Sequence, residues 1–142
     1  MRLALDPAVL AWALSKRGTA ARASLLQHDA LAPAEALARL REVMPQLPAS
    51  TGLARGALWD LLSVLTARIE AVEEARYAEF LPLARRVVPP GCEATLALAM
   101  ALEVEAVLAG GPGFEGQDLV PVVQVGVQPR QVGLSSDEPQ TQ

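Results

Sequence analysis

Short apolar runs alternate with amphipathic stretches along this chain, and the alternation predicts strands interleaved with helices. Met1 to Leu5 is an apolar run stopped by Asp6-Pro7. That pairing marks a strand followed by a helix. Aspartate caps a helix start, and proline suits the first turn, where its missing N–H has no intrahelical partner. Val9, Leu10, Ala13 and Leu14 then fall on one side of the helix, and Gly18 ends it. Thr19 to Gln27 reads as a second short helix, and His28 to Ala32 as a second strand despite poor β propensity. Pro33 opens a third helix in which Leu37, Leu40 and Met44 form an amphipathic stripe, ended by Pro45 and Pro48.

The second half repeats the pattern. Ser50 or Thr51 caps a longer helix reaching Arg68, with Leu58, Leu61, Leu62, Leu65 and Ile69 on one face. Arg68 to Val72 is a third strand. Ala75 to Val87 is helical, kinked or divided by Pro82. Pro89-Pro90-Gly91 breaks the chain. From Glu93 to Leu102, leucine or methionine alternates with alanine, a spacing that alone suits a strand. Ala, Leu and Met favour helix, however, and β-branched residues are nearly absent, so a helix buried almost all round is expected. Glu105 to Ala109 is a strand, Gly110 to Gly113 a loop, and Val120 to Val125 a last strand placed at an edge by Pro121. From Gln128 onward the chain is polar and contains proline. The expected organisation is one domain over residues 1–127 and a flexible tail over 128–142. Strands alternating with helices imply an α/β fold, with a central, mostly parallel sheet covered on both faces.

Composition narrows the chemistry. Of 142 residues, 51% are hydrophobic, enough for a packed core. No apolar run reaches the roughly 18 residues of a membrane helix, and the start lacks the pattern of a signal peptide; a cytoplasmic protein that does not engage a membrane is expected. Cys92 is the single cysteine and His28 the single histidine, which excludes an intrachain disulfide and cysteine- or histidine-pair metal sites. A Ser-His-Asp triad would rest on His28 alone. The net charge of −4 counts against a protein built around a phosphate backbone.

In an open parallel sheet, ligands bind beyond the carboxyl ends of the strands. Asp6, Glu93 and the Gly110 to Gly113 loop should converge at that edge. In those places the chain resembles the PIN-domain family of VapC-like ribonucleases. LDPAVLAWAL is similar to the family's opening strand and helix, APAEALARLREVM to the helix that bears its second acid, and PPGCEATLALAMALEVEAVLAGG to its acidic turn, buried helix and following strand. The resemblance spans about Met1 to Val125 and implies a three-layer α/β/α fold. It further implies a metal-dependent ribonuclease centre, in which carboxylates hold Mg²⁺ or Mn²⁺ to activate water. Asp6 matches the first acid and Glu93 the third. Arg39 stands where the second is expected, with Glu35 one turn earlier as a substitute in a shifted register. Gly111 stands in the turn of the fourth, and Glu115 and Asp118 lie just downstream. Arginine does not coordinate a cation, and the expectation is that Arg39 pairs with Asp6 or Glu93 in the cation's place.

Each candidate also has a plain structural role. Asp6 is a helix cap; Glu93 and Glu35 are first-turn acids favoured by the helix dipole. The glycine loop lacks the Gly-Lys-Ser/Thr of a phosphate loop. Cys92 precedes an acid that raises a thiol pKa. Trp12 and Trp59 suit a core or an interface. Three functions follow. The first is a degenerate PIN-like domain, catalytically impaired or inactive, that binds RNA, an antitoxin-like protein or its own copy as a homodimer; the missing acids at positions 39 and 111 favour it. The second is an active Mg²⁺- or Mn²⁺-dependent endoribonuclease, the toxin of a toxin–antitoxin pair, in which Glu35, Glu115 or Asp118 compensates. The third is an unrelated helical interaction protein, should the strands not form.

Overall fold

The strands form. In the computed structural model, which describes residues 2–15, 18–43 and 54–125, they are β1 (Arg2–Leu5), β2 (Asp29–Pro33), β3 (Ile69–Val72), β4 (Ala106–Ala109) and β5 (Val122–Gln124). They make a five-stranded sheet in the order β3-β2-β1-β4-β5, parallel at every pairing. Pro121 directly precedes β5 at one edge of the sheet, as expected of a residue with no N–H to donate.

The helices are α1 (Pro7–Ala13), α2 (Thr19–Gln27), α3 (Ala34–Val43), α4 (Arg55–Thr66), α5 (Leu81–Val87) and α6 (Glu93–Ala101). Period-two alternation in the strands builds a core on each side of the sheet. Leu3 and Leu5 of β1, Ala30 and Ala32 of β2 and Leu108 of β4 pack with Val9, Leu10, Leu25, Leu37, Leu58 and Leu62, from α1 to α4. Ala4, Leu31 and Val107 face the other way, against Leu81 and Ala84 of α5 and Leu96 to Ala99 of α6. The helical spacing in α4 is confirmed at Leu58, Leu62 and Leu65, all buried; Ile69 belongs to β3 instead. The result is a three-layer α/β/α fold.

Pro82 divides the stretch that was expected to be helical from Ala75 to Val87. Two 3₁₀ turns, Glu74–Arg76 and Ala78–Phe80, precede α5, and Pro82 sits in the first turn of α5, where it lacks no intrahelical partner. The alanine-rich segment is the helix α6, buried from Thr95 to Ala99. No helix among the described residues is long and apolar enough to cross a membrane. The expected cap at Ser50 or Thr51, Met44 with the prolines after it, and the tail over 128–142 lie outside the described residues.

Leu96 is fully buried between α5 and the sheet layer. Leu96→Ala is expected to cost roughly 2–5 kcal/mol of stability in urea unfolding. A loss under about 1 kcal/mol would mean that this side of the core is loosely packed.

Candidate functional site

The carboxyl edge of the sheet is assembled by three corners. The first is the turn from β1 into α1. Asp6 is 6% exposed and caps α1, with Oδ1 accepting from the Ala8 N–H at 3.3 Å. Its Oδ2 accepts from the Gly110 N–H at 3.4 Å, across from the loop that follows β4. A Cβ at position 110 would sit 3.3 Å from the Val9 nitrogen, so glycine is what lets that loop come down onto α1.

The second corner is the turn into α6. Gly91 has φ +98, a conformation that favours glycine, and its N–H donates to Glu93 Oε1 at 2.7 Å. Thr95 is fully buried, and its hydroxyl donates to the Leu5 carbonyl at 3.2 Å. This contact ties the start of α6, with Glu93, to the last residue before Asp6. The third corner is the first two turns of α3, which carry Glu35 and Arg39.

Glu35, Arg39, Glu93 and Thr95 line one cleft of about 190 Å³, closed by Pro7, Pro33 and Gly91. The expected convergence was of Asp6, Glu93 and the Gly110 to Gly113 loop; the structure sets Glu93 in this cleft with Glu35 and Arg39, and bonds Asp6 to Gly110 in the neighbouring turn. The sequence did not anticipate the partner of Arg39. Among the described residues Arg39 makes no ion pair with Asp6 or Glu93; its carboxylate is Glu35, one helical turn away, at 3.8 Å. The reason is depth. Asp6 is buried and faces two main-chain donors, whereas Arg39 and Glu35 share the exposed side of α3. Glu115 and Asp118 are exposed. His28 precedes β2 at the opposite end of the sheet, and its Nδ1 is buried without a partner among the described residues. Trp12 is half-buried against the core.

Burial raises the Asp6 pKa above its ordinary 3.8, and the Ala8 and Gly110 N–H groups oppose the rise. The half-buried Cys92 thiol is pushed up, first by burial and then by the charges of Asp6 and Glu93, which does not favour a reactive thiolate. Two contributors escaped the sequence. Thr95 reads there as one polar residue in an apolar run. Tyr77, buried between the 3₁₀ turns, has its phenol pKa raised by burial, then by Glu35, Glu74 and Glu73; a lone tyrosine after an acidic run carries no recognisable signal.

Divalent cations of this class take several oxygen ligands, chiefly carboxylate. Among the described residues no three His, Cys, Asp or Glu side chains come together to hold a metal. The cleft instead sets a guanidinium beside two carboxylates. Among the described residues this donor set falls short of the carboxylates that a Mg²⁺ or Mn²⁺ centre of the expected kind takes.

No protein-family model matches the sequence, and no curated protein matches it. Among solved structures, the chain is similar to one in the crystal structure of VapBC2 from Rickettsia felis bound to a DNA fragment from their promoter. The TM-score is 0.64 at 12% identity, over 88% of this chain and 99% of that one. At that identity the likeness is one of fold. With the all-parallel five-stranded sheet flanked by helices, it defines a PIN-like three-layer α/β/α architecture.

A carboxyl whose folded pKa lies above its unfolded value keeps its proton in the folded state over a window where the unfolded chain has lost it. Ionised Asp6 therefore costs stability at neutral pH and nothing below the unfolded value. In EDTA, the stability of the native chain relative to Asp6→Asn is expected to fall as pH rises above the ordinary carboxyl value of 3.8, and to level off once folded Asp6 has ionised. A relative stability that rises over this range would show that the two N–H donors outweigh burial.

Proposed function

We propose that this chain is a PIN-like domain that acts by binding, with the nuclease centre of the fold impaired, and that its partner is a protein of antitoxin-like kind. One observation carries the proposal: Arg39 occupies the cleft beside Glu35 and Glu93. A guanidinium has no lone pair to coordinate a cation and repels one. Asp6 supports the same reading, since both of its oxygens face main-chain N–H groups. The net charge of −4 favours a protein partner over a phosphate backbone, and the structural neighbour is part of a VapBC2 assembly on DNA.

The second reading, an active Mg²⁺- or Mn²⁺-dependent endoribonuclease acting as a toxin, draws on Asp6, Glu35 and Glu93 standing at one edge of the sheet. Calorimetric titration with Mn²⁺ separates the two. The native chain is expected to give no binding heat up to millimolar metal. Saturable binding that disappears in Asp6→Asn would establish a working metal site and replace the first reading with the second.

A further inference from the structure

A second hollow adjoins the cleft, on the outer side of the helix layer. It is a groove of about 190 Å³ between α1 and α3, lined by Pro7, Leu10, Ala36, Arg39, Leu40 and Val43. Arg39 is its one charged residue and also lines the cleft. The Arg39 and Glu35 side chains are 67% and 62% exposed, so their 3.8 Å pair is screened and weak. The guanidinium retains donors for a further carboxylate.

Where the chain leaves the sheet decides what can reach this groove. Pro7 opens α1 and Ala36 lies in the first turn of α3, so the groove begins at the carboxyl edge of the sheet. The parallel strand β5 ends at the same edge. Just after it, the Val125 N–H donates to the Ala109 carbonyl at 2.9 Å, and the Val125 side chain lies in the core beneath α1 to α4. The described residues end there, and residues 126–142 follow in the sequence. β5 stands two strands from β1, about 10 Å at the usual spacing. The stretch from Val125 to Leu134 spans about 30 Å when extended, enough to pass α1 and enter the groove.

The residues that follow have the chemistry of the groove. Val132 and Leu134 are two apart and share one side of an extended chain. Asp137 and Glu138 come next, after two serines. A segment arriving from β5 meets α1, which packs on β4, before α3, which packs on β2 and β3. Its aliphatic pair therefore comes to the groove first, and its carboxylates come to the α3 side, where Arg39 stands.

We propose that residues 132–138 dock in the α1–α3 groove of their own chain, with Val132 and Leu134 against Leu10, Leu40 and Val43, and Asp137 and Glu138 on Arg39. A short tether supplies an effective concentration of about millimolar, so a contact too weak between molecules suffices within one. The docked segment closes the groove to any other helix or peptide until it is displaced. The docking does not depend on whether the cleft binds metal, so its test and the Mn²⁺ titration fail separately.

The test is NMR on the full chain, with circular dichroism to confirm that each variant folds. In the native chain the amides of residues 132–138 are expected to be as ordered as those of β1, and the Leu134 methyls to show NOEs to those of Leu40. Leu134→Asp, which leaves the described residues untouched, should abolish those NOEs. Arg39→Glu should abolish them too, and combining it with Asp137→Arg and Glu138→Arg should bring them back. Amides of residues 132–138 that move as a free chain end in the native protein overturn the proposal, as do NOEs that survive Leu134→Asp. In a mixture of labelled and unlabelled copies, NOEs found only between copies would give the groove to a second chain and overturn docking within one. NOEs that persist in Arg39→Glu, or that the combined exchange does not restore, would overturn the contact with Arg39.

Discussion

From Leu3 to Leu5, β1 has no solvent face, and the site is placed by what that burial demands. Leu3 and Leu5 project into one core and Ala4 into the other, each at most 2% exposed. A parallel sheet satisfies its backbone within the ladder and needs helices on both sides to cover its side chains. β1 lies between β2 and β4, so its last residues emerge where both neighbouring strands also end. The polar residue that follows is buried as a matter of geometry. The same packing sets Glu93, because α6 lies in the core on the Ala4 side and its Thr95 hydroxyl holds the Leu5 carbonyl. Two acids distant in sequence are thereby referred to one strand end.

What that edge can hold is decided by charge. Several carboxylates gathered in one place repel each other and raise one another's pKa unless a cation or a base lies among them. This chain has glycine at position 111 and arginine at position 39, which leaves Asp6, Glu35 and Glu93, the last two sharing a cleft with the Arg39 side chain. Such an edge is nearer electrical balance without a metal than a four-acid edge would be. Gly110 contributes sterically as well: there the loop after β4 approaches α1 closely enough for its main-chain N–H to reach Asp6.

The order of elements was legible because its punctuation is local. Asp6-Pro7, Gly18 and Pro89-Pro90-Gly91 act through their own backbones, and α2 runs from Thr19 to Gln27 as anticipated. The buried helix α6 was legible because composition outweighed an alternating pattern. Pro82 left kink and division both open, and what followed was a pair of 3₁₀ turns set by packing around Tyr77. The candidate acids were found by resemblance, and their convergence followed from strand order. The partner of Arg39 was misjudged, because spacing along a chain reports residue type but not depth, and Asp6 lies beneath the surface that Arg39 occupies. Thr95 has no sequence signature at all and acquires meaning only from the Leu5 carbonyl that lies across from it in space.

The presence of aspartate at position 6 follows from the same geometry. Capping α1 requires one acceptor for the Ala8 N–H, which serine or asparagine supplies without burying a charge. Capping alone thus explains the position and not the carboxylate. The Gly110 N–H adds a second donor, from a different element and facing the other oxygen. Serine has one oxygen and reaches one of the two. Asparagine turns its amide donors toward whichever N–H its carbonyl does not serve. A carboxylate accepts from both, and so fastens the β4 loop to the β1–α1 corner. Both bonds are long, at 3.3 and 3.4 Å, and burial still dominates the pKa. Position 6 therefore combines a charge that burial opposes with a bridge that a neutral cap does not make, and the bridge accounts for the acid without requiring that a cation be held there.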